Sequence, residues 1–114
     1  MLSLGSSLQE IQLYLDKNGR SPFQSWLDKV VDKTSKAKIL QRIDRIKLGN
    51  FGDCRSVGDG VYEFRIHYGP GFRVYFGIIN SKLVLLLCGG DKSTQKSDIA
   101  SAKLSWKKFK ENEN

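Results

Sequence analysis

Gly60-Val-Tyr-Glu-Phe-Arg-Ile-His-Tyr-Gly-Pro-Gly-Phe-Arg-Val-Tyr-Phe-Gly-Ile-Ile79 is the stretch from which the rest of the fold is read. Two alternating runs flank Tyr68-Gly-Pro-Gly71, the pattern of a β-hairpin closed by a short glycine–proline loop. Strand side chains alternate, so Tyr62, Phe64, Ile66 and Tyr68 fall on one face and Val61, Glu63, Arg65 and His67 on the other. In the second run Phe72, Val74, Phe76 and Ile78 make an apolar face, while Arg73, Tyr75 and Gly77 point the opposite way. With both apolar faces turned to one core, the hairpin is expected to gather Glu63, Arg65, His67, Arg73 and Tyr75 on a single exposed surface. Two arginines, the only histidine, a carboxylate and a tyrosine on a rigid sheet suit a phosphate-handling site. An ordinary solvated sheet face is polar in the same way, and both readings stand at this point.

Upstream, residues 8–15 alternate, with Ile11, Leu13 and Leu15 on one side and Glu10, Gln12 and Tyr14 on the other, a half-buried first strand. After a turn at 16–20, Ser21-Pro-Phe-Gln24 sets a capping serine, proline at the first helical position and glutamine where a capping box needs it. Phe23, Trp26, Leu27, Val30 and Val31 then follow at helical spacing. A second helix after residues 32–35 turns Ile39, Leu40, Ile43 and Ile46 inward and stops at Gly49. Its outer side carries Lys38, Arg42 and Arg45, which suits either contact with a nucleic-acid backbone or plain solvation.

Residues 51–58 form a loop leading into a short strand. Beyond the hairpin, Asn80-Ser81 turns the chain into a strand at 82–88 that is apolar on both faces and so belongs inside the sheet. Asp91-Lys-Ser-Thr-Gln95 opens a last helix with Ile99, Ala102, Trp106 and Phe109 as its stripe. Residues 1–7 and 111–114 are expected to fray. The order β-α-α-β-β-β-β-α is an α+β plan, with two N-terminal helices and a C-terminal helix on a mostly antiparallel sheet.

The 114 residues are enough for one domain, taken as 1–114, and 39% hydrophobic with 27% charged residues describes a folded protein rather than a disordered one. A formal charge of +7 favours an anionic partner, nucleic acid before membrane. Cys54 and Cys88 lack companions at metal-ligand spacing, so no metal or other cofactor is expected and both read as free, packed thiols. The first eight residues lack the basic start of a signal peptide, and the longest apolar run, Leu83–Cys88, is far too short to span a bilayer. A cytoplasmic location follows as the expectation.

Val61-Tyr-Glu-Phe-Arg-Ile-His-Tyr-Gly-Pro-Gly-Phe-Arg-Val-Tyr-Phe76, followed by Leu85-Leu-Leu-Cys-Gly-Gly-Asp-Lys-Ser-Thr-Gln95, resembles the RelE/ParE toxin superfamily. More narrowly it resembles the addiction-module killer proteins, a HigB-like and phage-associated branch, which Ser21-Pro-Phe-Gln-Ser-Trp-Leu27 and Asp98-Ile-Ala-Ser-Ala102 also fit. The resemblance runs from the first strand to the last helix. It implies a RelE-like fold and a type II toxin silenced by a cognate helix-turn-helix antitoxin. It further implies a ribosome-dependent endoribonuclease acting on mRNA. The ParE side of the superfamily implies instead a toxin directed at gyrase or another protein, without nuclease activity. A degenerate toxin that only binds its antitoxin is a third possibility.

By that resemblance, Arg73 corresponds to the arginine that meets the scissile phosphate in nuclease members. Arg65 and His67 fall where such members carry basic residues, and Lys92 falls near a further one. Where some members have a tyrosine or histidine by the last helix, this chain has Asp98 and Ile99. Cleavage by the 2′-OH needs a base, an in-line attack and stabilised phosphate charge, which fixed cations supply without a metal. Arg73, Arg65 and Lys92 suit the charge, because a guanidinium is permanently ionised and forked. His67 and Glu63 are the candidate bases, Glu63 alternatively orienting Arg65. Tyr75 is a candidate for stacking on RNA, and Lys38, Arg42 and Arg45 for holding its backbone.

Overall fold

The computed structural model describes residues 8–112. Strand β1 (Glu10–Leu13) leads into α1 (Pro22–Lys29) and α2 (Lys33–Lys47). Four strands follow, β2 (Cys54–Gly58), β3 (Val61–Ile66), β4 (Phe72–Ile79) and β5 (Leu83–Asp91), and a 3₁₀ turn (Lys92–Thr94) runs into α3 (Gln95–Asn112). The expected α+β order is present. Of the residues expected to fray, 111–112 close the last turn of α3, and 1–7 and 113–114 lie outside the described residues.

Local chemistry sets the ends of the elements. The Ser21 hydroxyl accepts from the Gln24 N–H at 3.0 Å, capping α1. The reciprocal half of the box is absent, because the Gln24 amide donates to Asp28 instead. Asp32 caps α2 through the Ser35 N–H. At the other end of α2, Gly49 adopts a φ of 87°, its N–H reaches Ile46 and that of Asn50 reaches Arg45. That is the paired-bond stop for which a left-handed glycine is needed.

The sheet order is β1-β5-β4-β3-β2, antiparallel throughout except for β1, which runs parallel to β5. Strand β5 is thus interior, as its two apolar faces require. Helices α1 and α2 cover one face, where Phe23, Leu27, Ile39, Ile43 and Ile46 meet Phe64, Ile66, Val74, Phe76 and Leu86. Helix α3 covers the other, where Ala102 and Trp106 meet Val61, Tyr75, Leu85 and Leu87. A bulge in β5 makes this possible: Phe76 faces Leu86 and Tyr75 faces Cys88, so both Leu87 and Cys88 lie on the α3 side.

Two of the residues assigned to the helix stripes are exposed. Val31 is 93% exposed because α1 ends at Lys29 and Val30 is already extended. Leu40 is 47% exposed because Ile39, Ile43 and Ile46 alone fill the contact stripe of α2. Leu40→Gln is therefore expected to change unfolding free energy by less than about 0.5 kcal/mol in urea denaturation. Among the described residues no helix is long and apolar enough to cross a membrane.

Candidate functional site

The face expected to be open to solvent is closed. Glu63 and Tyr75 are fully buried and Arg73 is 8% exposed, because the first turns of α3 lie over them. Cross-strand register explains the grouping: Arg55 faces Glu63, Glu63 faces Tyr75, Tyr75 faces Cys88, and Arg65 faces Arg73, which faces Gly90. Glu63 is the hub. Its Oε1 accepts from Arg55 Nε at 3.0 Å and Arg65 Nε at 3.1 Å, and its Oε2 accepts from the Gln95 amide at 2.9 Å. Arg73 Nε stands 3.7 Å from Oε2. Burial pushes the Glu63 carboxyl up, but donors from Gln95, Arg65 and Arg55 outweigh it and hold the group below its ordinary value. The carboxylate is thus ionised and already shared among cations.

Arg73 also donates to the Gly71 carbonyl at 3.3 Å, and its Nε and the Tyr75 hydroxyl are buried without a hydrogen bond of good geometry. Burial, then the charge on Glu63, drive the Tyr75 phenol well above its usual range, so it stays protonated. Beside them, Asp98 sits over Gly90, with Thr94 Oγ1 donating to it at 2.5 Å. Burial raises the Asp98 carboxyl and pushes the neighbouring Cys88 thiol up to about 12. Asp91 caps the 3₁₀ turn in a capping box with Thr94, and Lys92, its first residue, is exposed.

His67 departs from the expected face. Strand β3 ends at Ile66, and the Tyr68 N–H turns back to the Ile66 carbonyl at 2.9 Å, which centres a three-residue turn on His67 and ends the alternation. Its ring Nε2 meets Asp53 Oδ2 at 2.5 Å, with side-chain exposures of 71% and 55%. The hydrogen bond from His67 is the largest influence lowering the Asp53 carboxyl, and Arg65 and Arg42 add to it.

This pair lies beside a groove of about 230 Å³ lined by Lys38, Gln41, Arg42, Arg45, Ile66, His67 and Tyr68. The three cations expected on the outer side of α2 therefore meet the histidine, although they differ in state. Arg45 is exposed, and Lys38 Nζ lies 4.8 Å from the centre of the Tyr68 ring. Arg42 is no solvated side chain. It donates to the carbonyls of Arg65, Phe51 (3.1 Å) and Asp53 (3.4 Å), and lies over the Phe64 ring.

Four participants escaped the sequence reading. Arg55 and Asp53 lie on or before β2, whose register depends on a bulge. Gln95 reads in the sequence only as part of the start of a helix. Tyr68 was assigned to the apolar face but is 37% exposed at the rim of the groove, so it offers the aromatic surface that buried Tyr75 does not.

The model of the phage-derived Gp49-like protein family matches residues 25–110 of the chain, from within α1 to the last turn of α3. An uncharacterized protein of Haemophilus influenzae is 57% identical over 82 residues, which span 72% of this chain and 83% of the relative. The matched region holds the Glu63 hub and the whole His67 groove, and the chain belongs to the Gp49-like family of phage-derived proteins, within the RelE-like toxin group of toxin–antitoxin systems.

Proposed function

We propose that the chain is the toxin of a type II toxin–antitoxin pair and a ribosome-dependent mRNA endonuclease, with the groove between α2 and the β3–β4 turn as its RNA site. The observation that supports it is an exposed histidine, hydrogen-bonded to a carboxylate, beside a groove lined with Lys38, Arg42 and Arg45. Glu63 is committed to three arginines and a glutamine, which leaves His67 as the base. His67 takes the proton of a ribose 2′-OH, and the 2′-oxygen attacks the adjacent phosphorus in line. The bond from phosphorus to the 5′-oxygen breaks, that oxygen takes a proton from water, and a 2′,3′-cyclic phosphate remains. Lys38 and Arg45 meet the phosphate charge, and Arg42, tied to backbone carbonyls, keeps the wall of the groove rigid.

In this reading Arg65 and Arg73 act through the field they set up with Glu63, Lys92 contacts the RNA backbone, and Tyr68 offers a ring for a base to stack on. The antitoxin partner, of the helix-turn-helix kind that accompanies HigB-like toxins, neutralises the protein by covering or distorting this groove. A second reading, a toxin that acts by binding gyrase or another protein, draws on the burial of Glu63, Arg73 and Tyr75 beneath α3.

Primer extension on a translated mRNA, with and without ribosomes, separates the two. Wild type is expected to cut only with ribosomes, and His67→Ala to lower the single-turnover rate by about 10²-fold, the usual worth of a positioned base. The substitution is at an exposed side chain, so folding is not in question. Lys38→Glu combined with Arg45→Glu is expected to weaken cleavage and flatten its salt dependence. Growth arrest with intact message, together with inhibited DNA supercoiling, establishes the second reading instead.

A further inference from the structure

Asp53 lies on the loop that enters β2, yet two anchors hold its backbone in place. Its carbonyl accepts from the Arg65 N–H of β3 at 3.2 Å and from Arg42 Nη2 of α2 at 3.4 Å. His67 is fixed in turn by the tight turn from Ile66 to Tyr68. Between two anchored backbones, Asp53 Oδ2 and His67 Nε2 meet at 2.5 Å. A carboxylate is an acceptor only, so the bond requires the proton on Nε2 and, in the neutral ring, leaves the lone pair on Nδ1.

We infer that Asp53 is a positioning residue that fixes the His67 tautomer and ring orientation, so that Nδ1 is the atom presented to a substrate hydroxyl in the basic groove. The inference rests on the nuclease reading for its use, while the tautomer itself does not. The charged and titratable groups around the ring are Asp53 before β2, Lys38, Arg42 and Arg45 of α2, Arg65 of β3 and the phenol of Tyr68. Asp53 is the only acid among them, so removing it takes away the one negative charge that offsets the cations around the ring.

The chain has one histidine, which makes the test direct. Long-range ¹H–¹⁵N spectra at neutral pH are expected to show a protonated Nε2 and an unprotonated Nδ1 in the wild type, and mixed tautomers in Asp53→Asn. An Nδ1–H tautomer in the wild type, or identical spectra in the two proteins, overturns the inference whatever the activity. In single-turnover cleavage, Asp53→Asn is expected to lower the plateau rate about tenfold, because the ring is no longer held in one tautomer and orientation. Asp53→Glu is expected to recover part of the rate and of the single tautomer. An unchanged rate in Asp53→Asn, with His67→Ala inactive, also overturns it. If the wild type does not cut, the nuclease reading falls, and if His67→Ala cuts as well as wild type, His67 falls as the base; in either case the spectra still decide the tautomer.

Discussion

Replacing Glu63 by alanine is expected to cost the fold about 4 kcal/mol, the range found when one partner of a buried ion cluster is removed. Glu63 is fully buried, and Arg55, Arg65, Arg73 and Gln95 all converge on its two oxygens. Without it, Arg55 can turn outward, since its side chain is already 54% exposed. Arg73, whose side chain is 10% exposed, has no such exit and remains buried opposite Arg65. The first turn of α3 loses its anchor as well, because the Gln95 amide loses its acceptor. For a domain of this size, such a loss lowers the melting temperature by about 20 °C.

Glu63→Gln keeps the shape and one acceptor oxygen but not the charge, and is expected to cost about half as much. The pH dependence gives the sign. The folded state holds this carboxyl below its ordinary value, so its contribution is fully present above about pH 4.3, the unfolded value, and is lost as pH falls through the folded one. The gap between wild type and Glu63→Gln in urea denaturation is therefore expected to be wide at pH 7 and to close in acid. A gap independent of pH would mean that the carboxylate is not what holds the cluster.

The expected exposure of this face failed for a reason the sequence already contained. Alternation correctly put Glu63, Arg65, Arg73 and Tyr75 on one side of the hairpin, because a period of two is intrinsic to a strand. The two-faced apolarity of Leu83-Val-Leu-Leu-Leu87 showed that both sides of the sheet need cover, and α3 carries the stripe that supplies it. Taken together, those two observations bury the polar row as well. Other features had no such signal. Asp59-Gly60 is a strong hairpin turn, with both residues at positive φ, and it alone pairs Arg55 with Phe64. The irregularity between Ser56 and Gly58 shifts the register by one and brings Arg55 opposite Glu63 instead. Likewise, alternation extended one residue too far sends His67 under α3, whereas the turn at Ile66–Tyr68 delivers it to Asp53. Bulges and strand ends are decided by packing over the whole sheet, and no short window of sequence reports them.

Gly77→Ala is expected to destabilise the protein by about 3 kcal/mol, and its sign is the informative part. On backbone grounds alone the change should stabilise, since glycine within a strand is worth about 0.5–1 kcal/mol less than alanine, and Gly77 does not sit at positive φ. Sterics reverse this. A Cβ at Gly77 would lie 2.3 Å from Trp106 Cζ3 and within 2.6 Å of two further ring atoms. The indole cannot retreat easily, because Phe109 stacks beside it with centroids 6.0 Å apart and Lys110 lies over the ring. Gly60 leaves room for the other side of the same indole, where an added Cβ would stand 2.7 Å from Nε1. Relief therefore requires α3 to lift from β4, and α3 is the element that covers Glu63 and Arg73. Gly77→Ala should accordingly speed amide exchange in the first turns of α3 as well as lower stability. Trp106→Leu is destabilising alone, yet in the double variant Gly77→Ala should cost little more, giving a coupling of about 2 kcal/mol. A Gly77→Ala protein as stable as wild type would show that the Trp106 contact does not hold α3 on the sheet, and that the polar row is more open than its burial implies.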